Sequence, residues 1–214
     1  SSNDLKNLTF TVKDSTGATR WTGTLGTNFQ EENGKYVATI DNLELNETYT
    51  VTESLIDLDG TKLTVTYNIN GGEDVVKTEA TGSVTTGNIT LDASNPTEVN
   101  ITDAYTSKPV DVVLTASKTL NGATLAAEQF SFVLKEGTTE LQTKKNDAYG
   151  DVTFGKLTYT GDDVDKTYTY TVSEKAGEAA GYTYDTEVYT VTVNVTRSKG
   201  KITATPVIKN SNTT

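Results

Sequence analysis

The sequence predicts an all-β chain built as two tandem Ig-like β-sandwich modules, and three observations carry that prediction. Threonine supplies 43 of the 214 residues, alongside 20 valines and 11 tyrosines, and these are the residues that fit a pleated, half-buried surface. Apolar and polar residues alternate, as in Val188-Tyr-Thr-Val-Thr-Val-Asn-Val195, a period of two that turns one face of a strand to a core. Short runs of this kind recur between turn clusters such as Asp59-Gly60, Asn70-Gly71-Gly72 and Gly161-Asp162-Asp163. Sustained helical periodicity is missing; Ala123 to Gln129 suits one short turn.

Taken in order, Leu8-Thr-Phe10-Thr-Val12-Lys13 alternates as a strand, and Trp21 alternates with Gly23 and Leu25 as a core position. Thr48-Tyr-Thr-Val-Thr-Glu53 is the next clear strand, and Val99, Ile101, Asp103 and Tyr105 share the face of another. Ser107-Lys-Pro109 is polar and proline-containing, as a linker should be. Beyond it, Val112, Leu114, Ala116, Lys118 and Leu120 fall in phase, followed by Phe130-Ser-Phe132-Val-Leu134-Lys135 and Thr167-Tyr-Thr-Tyr-Thr-Val-Ser-Glu174. Val188–Val195 and Ile202–Lys209 complete the series. The strand at 48–53 repeats at 169–174 as Thr-Tyr-Thr-Val-Ser-Glu, and the strand from Leu8 repeats from Phe130. Leu8 to Glu53 spans 45 positions and Phe130 to Glu174 spans 44. Two blocks at matched spacing mark an internal repeat, which sets domain 1 at 1–107 and domain 2 at 108–214.

Composition removes most chemistry. The chain holds no cysteine, histidine or methionine, so thiolate nucleophiles, disulfides, Ser-His-Asp triads and imidazole-bound metals are excluded. A net charge of −11 and a pI near 4.5 argue against nucleic acid and anionic membranes as partners. No apolar run reaches the length of a membrane span. Asp57-Leu-Asp59-Gly60 and Gly161-Asp-Asp-Val-Asp165 lack the full ligand spacing of calcium loops and read as solvated turns. No cofactor is expected.

What remains is the placement of charge. Lys118 lies in phase with Val112, Leu114, Ala116 and Leu120; Glu174 with Tyr168, Tyr170 and Val172; Glu53 with Tyr49, Val51 and Leu55; Asp103 with Ile101 and Tyr105. Unpaired charges on such stripes cost several kcal/mol; strand-end snorkelling or a buried ion pair is one account of them. The other is an autocatalytic cross-link. A lysine desolvated among apolar side chains becomes a neutral nucleophilic amine, and a carboxyl in the same dry site stays protonated and polarises a carbonyl. Lysine, glutamic acid and an Asn or Asp held together can then condense to an amide, with effective concentration supplying much of the drive. The reaction is single-turnover, so the protein is not expected to be an enzyme.

These residues resemble the intramolecular-isopeptide domains of Gram-positive pilins and surface adhesins. Domain 2 is similar to the streptococcal pilin isopeptide-linkage domain through Ser117-Lys-Thr-Leu-Asn-Gly122, Phe130-Ser-Phe132, Gly150-Asp-Val-Thr-Phe154, Tyr170-Thr-Val-Ser-Glu174, Gly181-Tyr-Thr-Tyr-Asp185 and Val188-Tyr-Thr-Val-Thr192. Domain 1 resembles the Cna B-type domains more distantly, through Tyr49-Thr-Val-Thr-Glu53 and Ile101-Thr-Asp-Ala-Tyr105. The resemblance implies that Lys118 is an isopeptide nucleophile, Glu174 and Glu53 are proton relays, and Asp103 is an acceptor standing where the family usually has Asn.

Each domain is expected to be short of one strand. Lys118 precedes Phe130 by 12 positions, and the same step back from Leu8 passes Ser1, so domain 1 lacks its first strand and lysine. Asp103 follows Glu53 by 50 positions, and the same step from Glu174 passes Thr214. Asn210 is in phase with Ile202, Ala204 and Ile208 and is the acceptor within reach, although Ile202–Lys209 reads better as the penultimate strand. The expected function is a structural stalk or shaft module of a pilin or cell-surface adhesin, extracellular and anchored to the cell wall. Its partners are then neighbouring domains or pilus subunits; the alternative is an adhesin region presenting a surface to a host ligand.

Overall fold

The computed structural model describes residues 5–177 and 179–210. The chain divides into two compact units, Ser1–Ser107 and Lys108–Thr214, which meet just before Pro109.

The first unit holds β1 (Thr9–Asp14), β2 (Thr19–Thr24), a one-turn helix α1 (Leu25–Asn28), β3 (Gln30–Glu32), β4 (Lys35–Val37) and β5 (Thr48–Ser54). It continues with β6 (Thr61–Ile69), β7 (Val75–Lys77), β8 (Ser83–Thr85), β9 (Ile89–Thr90) and β10 (Val99–Ser107). One sheet runs β2-β1-β5-β8, with β9 also on β5; a second runs β10-β6-β7, and β3 and β4 pair as a separate hairpin. The apolar faces of the two sheets meet around Leu63, Val65 and Tyr67 from the second sheet and Val84 from the first.

The second unit holds β11 (Val110–Val112), β12 (Thr115–Ser117), β13 (Ser131–Glu136), β14 (Thr139–Lys145), β15 (Asp151–Thr153) and β16 (Leu157–Tyr159). β17 (Thr167–Glu174), β18 (Val188–Ser198) and β19 (Lys201–Asn210) complete it. A five-stranded antiparallel sheet runs β14-β13-β17-β18-β19, and two short ladders, β11-β16 and β12-β15, form the other layer. Val112, Leu114, Val152, Phe154 and Tyr159 from that layer pack on Leu134, Tyr170, Val172, Val191, Val193 and Val195 of the sheet. In β17 and β18 the buried residues are alternate ones, as the period of two predicts, whereas the central strand β13 buries Phe132, Val133 and Leu134 in succession.

The internal repeat holds in three dimensions. Phe10 pairs with Glu53, and Phe132 pairs with Glu174. The β1–β2 ladder slips after Val12, and the β13–β14 ladder slips after Leu134, the equivalent position. A bulge at the same place in both copies bends both hairpins alike. Past the glutamate the copies diverge: β18 pairs directly with β17, whereas β6 leaves β5 and pairs with β10 and β7 in the opposite sheet.

Local details differ from expectation in two places. Trp21 is half-buried, not central, because β2 is an edge strand. Its indole folds over Gly23, where a Cβ would come within 2.2 Å of the ring, and stands edge-on to Phe29 at 6.0 Å. Ala123–Gln129 folds as bends and a turn at residues 127–128, without helix. Gly161–Asp163 forms a single 3-10 turn capped by Thr160 and Asp163, and no group of three metal-ligating side chains occurs among the described residues.

Candidate functional site

In the second unit Lys118 follows β12 and turns its side chain into the space between the layers. Its Nζ donates to Glu174 Oε2 at 2.8 Å, and the two side chains are 12% and 1% exposed. The ammonium lies 4.6 Å from the centre of the Phe130 ring, within cation–π range. Glu174 closes β17 opposite Phe132, and its Oε2 also accepts from the Asp185 backbone N–H at 2.9 Å. Glu174 Oε1 is buried with no hydrogen-bond donor among the described residues. The pair therefore sits in a low-dielectric pocket with one carboxylate oxygen unsatisfied, which is where a further hydrogen-bonding group would be accommodated.

The pocket is built from loops on a rigid frame. The Lys118 N–H donates to Gly150 O at 2.8 Å. Gly150 has φ of +95°, and a Cβ on it would lie 2.1 Å from the Lys118 carbonyl oxygen, so glycine is required for the two backbones to approach. Tyr182 and Tyr184 stand edge-on to Phe130 at 5.8 and 5.7 Å.

The first unit holds a different centre. Glu53, at the matching place on β5, is 2% exposed, and Asp103 projects from β10 in the facing sheet. Glu53 Oε2 and both Asp103 oxygens are buried without a donor among the described residues. Burial, reinforced by the neighbouring Asp103 carboxyl, pushes Glu53 up to about 8. Burial raises Asp103 as well, and it pushes the Tyr105 hydroxyl, which donates to Ile56 O at 3.0 Å, up to about 12. With no cation beside them among the described residues, two neighbouring buried carboxyls are stable only when at least one holds a proton.

Glu53 and Glu174 are buried, the Asp103 oxygens are buried and Lys118 is partly buried, and they assemble as two separate pairs, Lys118 with Glu174 and Glu53 with Asp103. Lys6, which lies in phase with Leu8 and Phe10 and is the substitute lysine the first unit offers, is exposed and belongs to neither. Asn210 ends β19 and pairs with Tyr189 of β18; its side chain lies outside the described residues. β19 forms a hairpin with β18. Phe130, Asn146 and Gly150 were not legible as site residues. Phe130 and Gly150 lie in motifs that carry the resemblance, but Asn146 has only its place before a Gly-containing turn to mark it.

An all-β unit with a buried lysine–glutamate pair between its layers has the architecture of an isopeptide-type domain. Residues 114–214 match the family model FctA, the Spy0128-like isopeptide containing domain. From Leu114 onward the second unit is thus similar to this pilin-type family of Gram-positive surface proteins. No curated protein matches the chain. No helix among the described residues is long and apolar enough to cross a membrane.

Proposed function

We propose that the chain is a load-bearing segment of a Gram-positive pilus shaft or cell-wall-anchored stalk, and that its second unit is locked by an isopeptide bond from Lys118. The observation that carries this reading is the buried Lys118–Glu174 pair, 2.8 Å apart, inside residues matched to the isopeptide family. The reaction begins when the proton on Lys118 passes to Glu174 along this hydrogen bond. The neutral amine then attacks Cγ of an Asn side chain, with Glu174 as the acid that polarises the carbonyl oxygen. The new C–N bond forms as the Asn C–N bond breaks, and Glu174 returns the proton to the departing ammonia; an Asp acceptor expels water instead. Asn210 is the acceptor available at the end of β19, and an Asn or Asp on a further strand serves equally.

The first unit is proposed as a Cna B-type relative in which Glu53 is the relay and Asp103 the acceptor. This rests on the shared β1, β2 and β5 arrangement and on the matching bulge. Such a bond turns tension on the strands into tension on a covalent link, and closing a loop of roughly 90 residues stabilises by a little over 4 kcal/mol on the chain-entropy model. The test is intact mass. The protein should weigh one ammonia, or one water, less than its composition for each bond, and Lys118→Ala or Glu174→Ala should restore the difference assigned to the second unit. A native mass equal to the calculated one contradicts the proposal.

A further inference from the structure

Two groups touch Lys118 besides Glu174: the Phe130 ring beneath its ammonium and the Gly150 carbonyl that binds its N–H. Both are tied to one side chain. Asn146, 1% exposed, ends the loop side of β14. Its Oδ1 accepts from the Phe130 N–H at 2.7 Å, while Nδ2 donates to Ala126 O at 2.9 Å and Asp147 O at 2.7 Å. Its backbone N–H donates to Phe130 O at 3.2 Å, so residues 130 and 146 are joined at two points. Asp147 O also receives the Gly150 N–H at 3.2 Å, and Asp147 Oδ1 receives the N–H groups of Tyr149 and Asp151. The turn that presents Gly150 to Lys118 thus starts from the carbonyl that Asn146 holds.

We propose that Asn146 is a positioning residue for the Lys118–Glu174 centre, fixing Phe130 on one side of the lysine and the 147–150 turn on the other. The inference rests on the proposed function for its purpose, but its test follows Lys118 directly. Without the carboxamide, the buried Phe130 N–H loses its acceptor, and the Ala126 and Asp147 carbonyls each lose a donor. The ring and the turn then separate, and the lysine is no longer held against Glu174.

The experiment is pulse acylation of lysines with an amine-reactive ester at neutral pH, read by peptide mapping in a Glu174→Gln background, which lacks the relay carboxyl and so keeps the Lys118 amine free, with intact mass recorded on the same samples and on the native protein. In that background Lys118 should react more slowly than Lys156 and Lys62, which are exposed, and the variants below are added to it. In Asn146→Ala the Lys118 rate should rise by about tenfold or more as local opening becomes easier, with Lys62 in the other unit unchanged. Phe130→Leu, which keeps apolar volume and removes only the ring, should raise it in the same sense and decides the matter if Asn146→Ala does not fold. Tyr159→Phe, which removes the buried hydroxyl contact to Tyr170, should leave it unchanged. A folded Asn146→Ala protein with Lys118 protected as before overturns the proposal. So does Phe130→Leu without effect, or Tyr159→Phe with an equal rise. Absence of a mass deficit in the native protein would count against the cross-link reading and not against Asn146, because protection of Lys118 by its neighbours is read in the Glu174→Gln background, where the relay carboxyl is missing and the amine stays free.

Discussion

Unit 1 should lose stability as pH rises through neutrality, and the composition makes this measurable. Glu53 ionises near 4.5 in the unfolded chain and near 8 in the folded unit. Between those values the folded state holds a proton that the unfolded state releases, so stability is fullest below about pH 4.5, falls through the window, and levels off above about pH 8. The full shift corresponds to about 5 kcal/mol, and water penetration and relaxation at a carboxyl pair reduce the expected loss to about 2 kcal/mol. With no histidine or cysteine in the sequence, few other side chains titrate in that window. Trp21 is the chain's one tryptophan and lies in unit 1. Urea titrations followed by its fluorescence from pH 5 to 9 therefore report this unit selectively. The midpoint should fall with pH, and Glu53→Gln, which needs no proton to stay neutral, should flatten the dependence. A native midpoint that is level or rising between pH 5 and 8 would refute the assignment of a shared proton.

Other consequences concern the second unit and are read by thermal or denaturant unfolding followed by circular dichroism. Lys118→Met leaves the buried Glu174 carboxylate without its cation and should cost about 3–5 kcal/mol, part of which Lys118→Met/Glu174→Gln recovers. Gly150→Ala forces a Cβ against the Lys118 carbonyl at a positive φ, and should cost about 2 kcal/mol or more while raising the acylation rate of Lys118. Leu134→Ala empties a fully buried position on β13 and should cost about 2–5 kcal/mol.

Much of this molecule is legible in its sequence because strand periodicity is two. The phase that put Lys118, Glu53, Glu174 and Asp103 on apolar stripes is the phase the sheets use. The blocks that repeat in sequence occupy matching places in the sheets, with Phe10 opposite Glu53 and Phe132 opposite Glu174. What periodicity does not encode is which stripe faces which. Lys118 meets Glu174 and Glu53 meets Asp103 because of layer pairing, a long-range choice made by loops and by total burial. The same limit hides the divergence after the glutamate, where β18 stays in its sheet and β6 crosses over. Asn146 was invisible for another reason: its three carboxamide hydrogen bonds go to backbone groups, which leave no pattern in the side chains.

The central claim, that Lys118 is an isopeptide nucleophile, is tested most directly by tryptic mapping of the protein as the cell makes it. A branched peptide should carry Lys118 joined through Nζ to an Asn- or Asp-derived side chain, with no cleavage after Lys118, and it should vanish in Glu174→Ala. Recovery of Lys118 as an ordinary, fully cleaved lysine in the native protein would contradict the account.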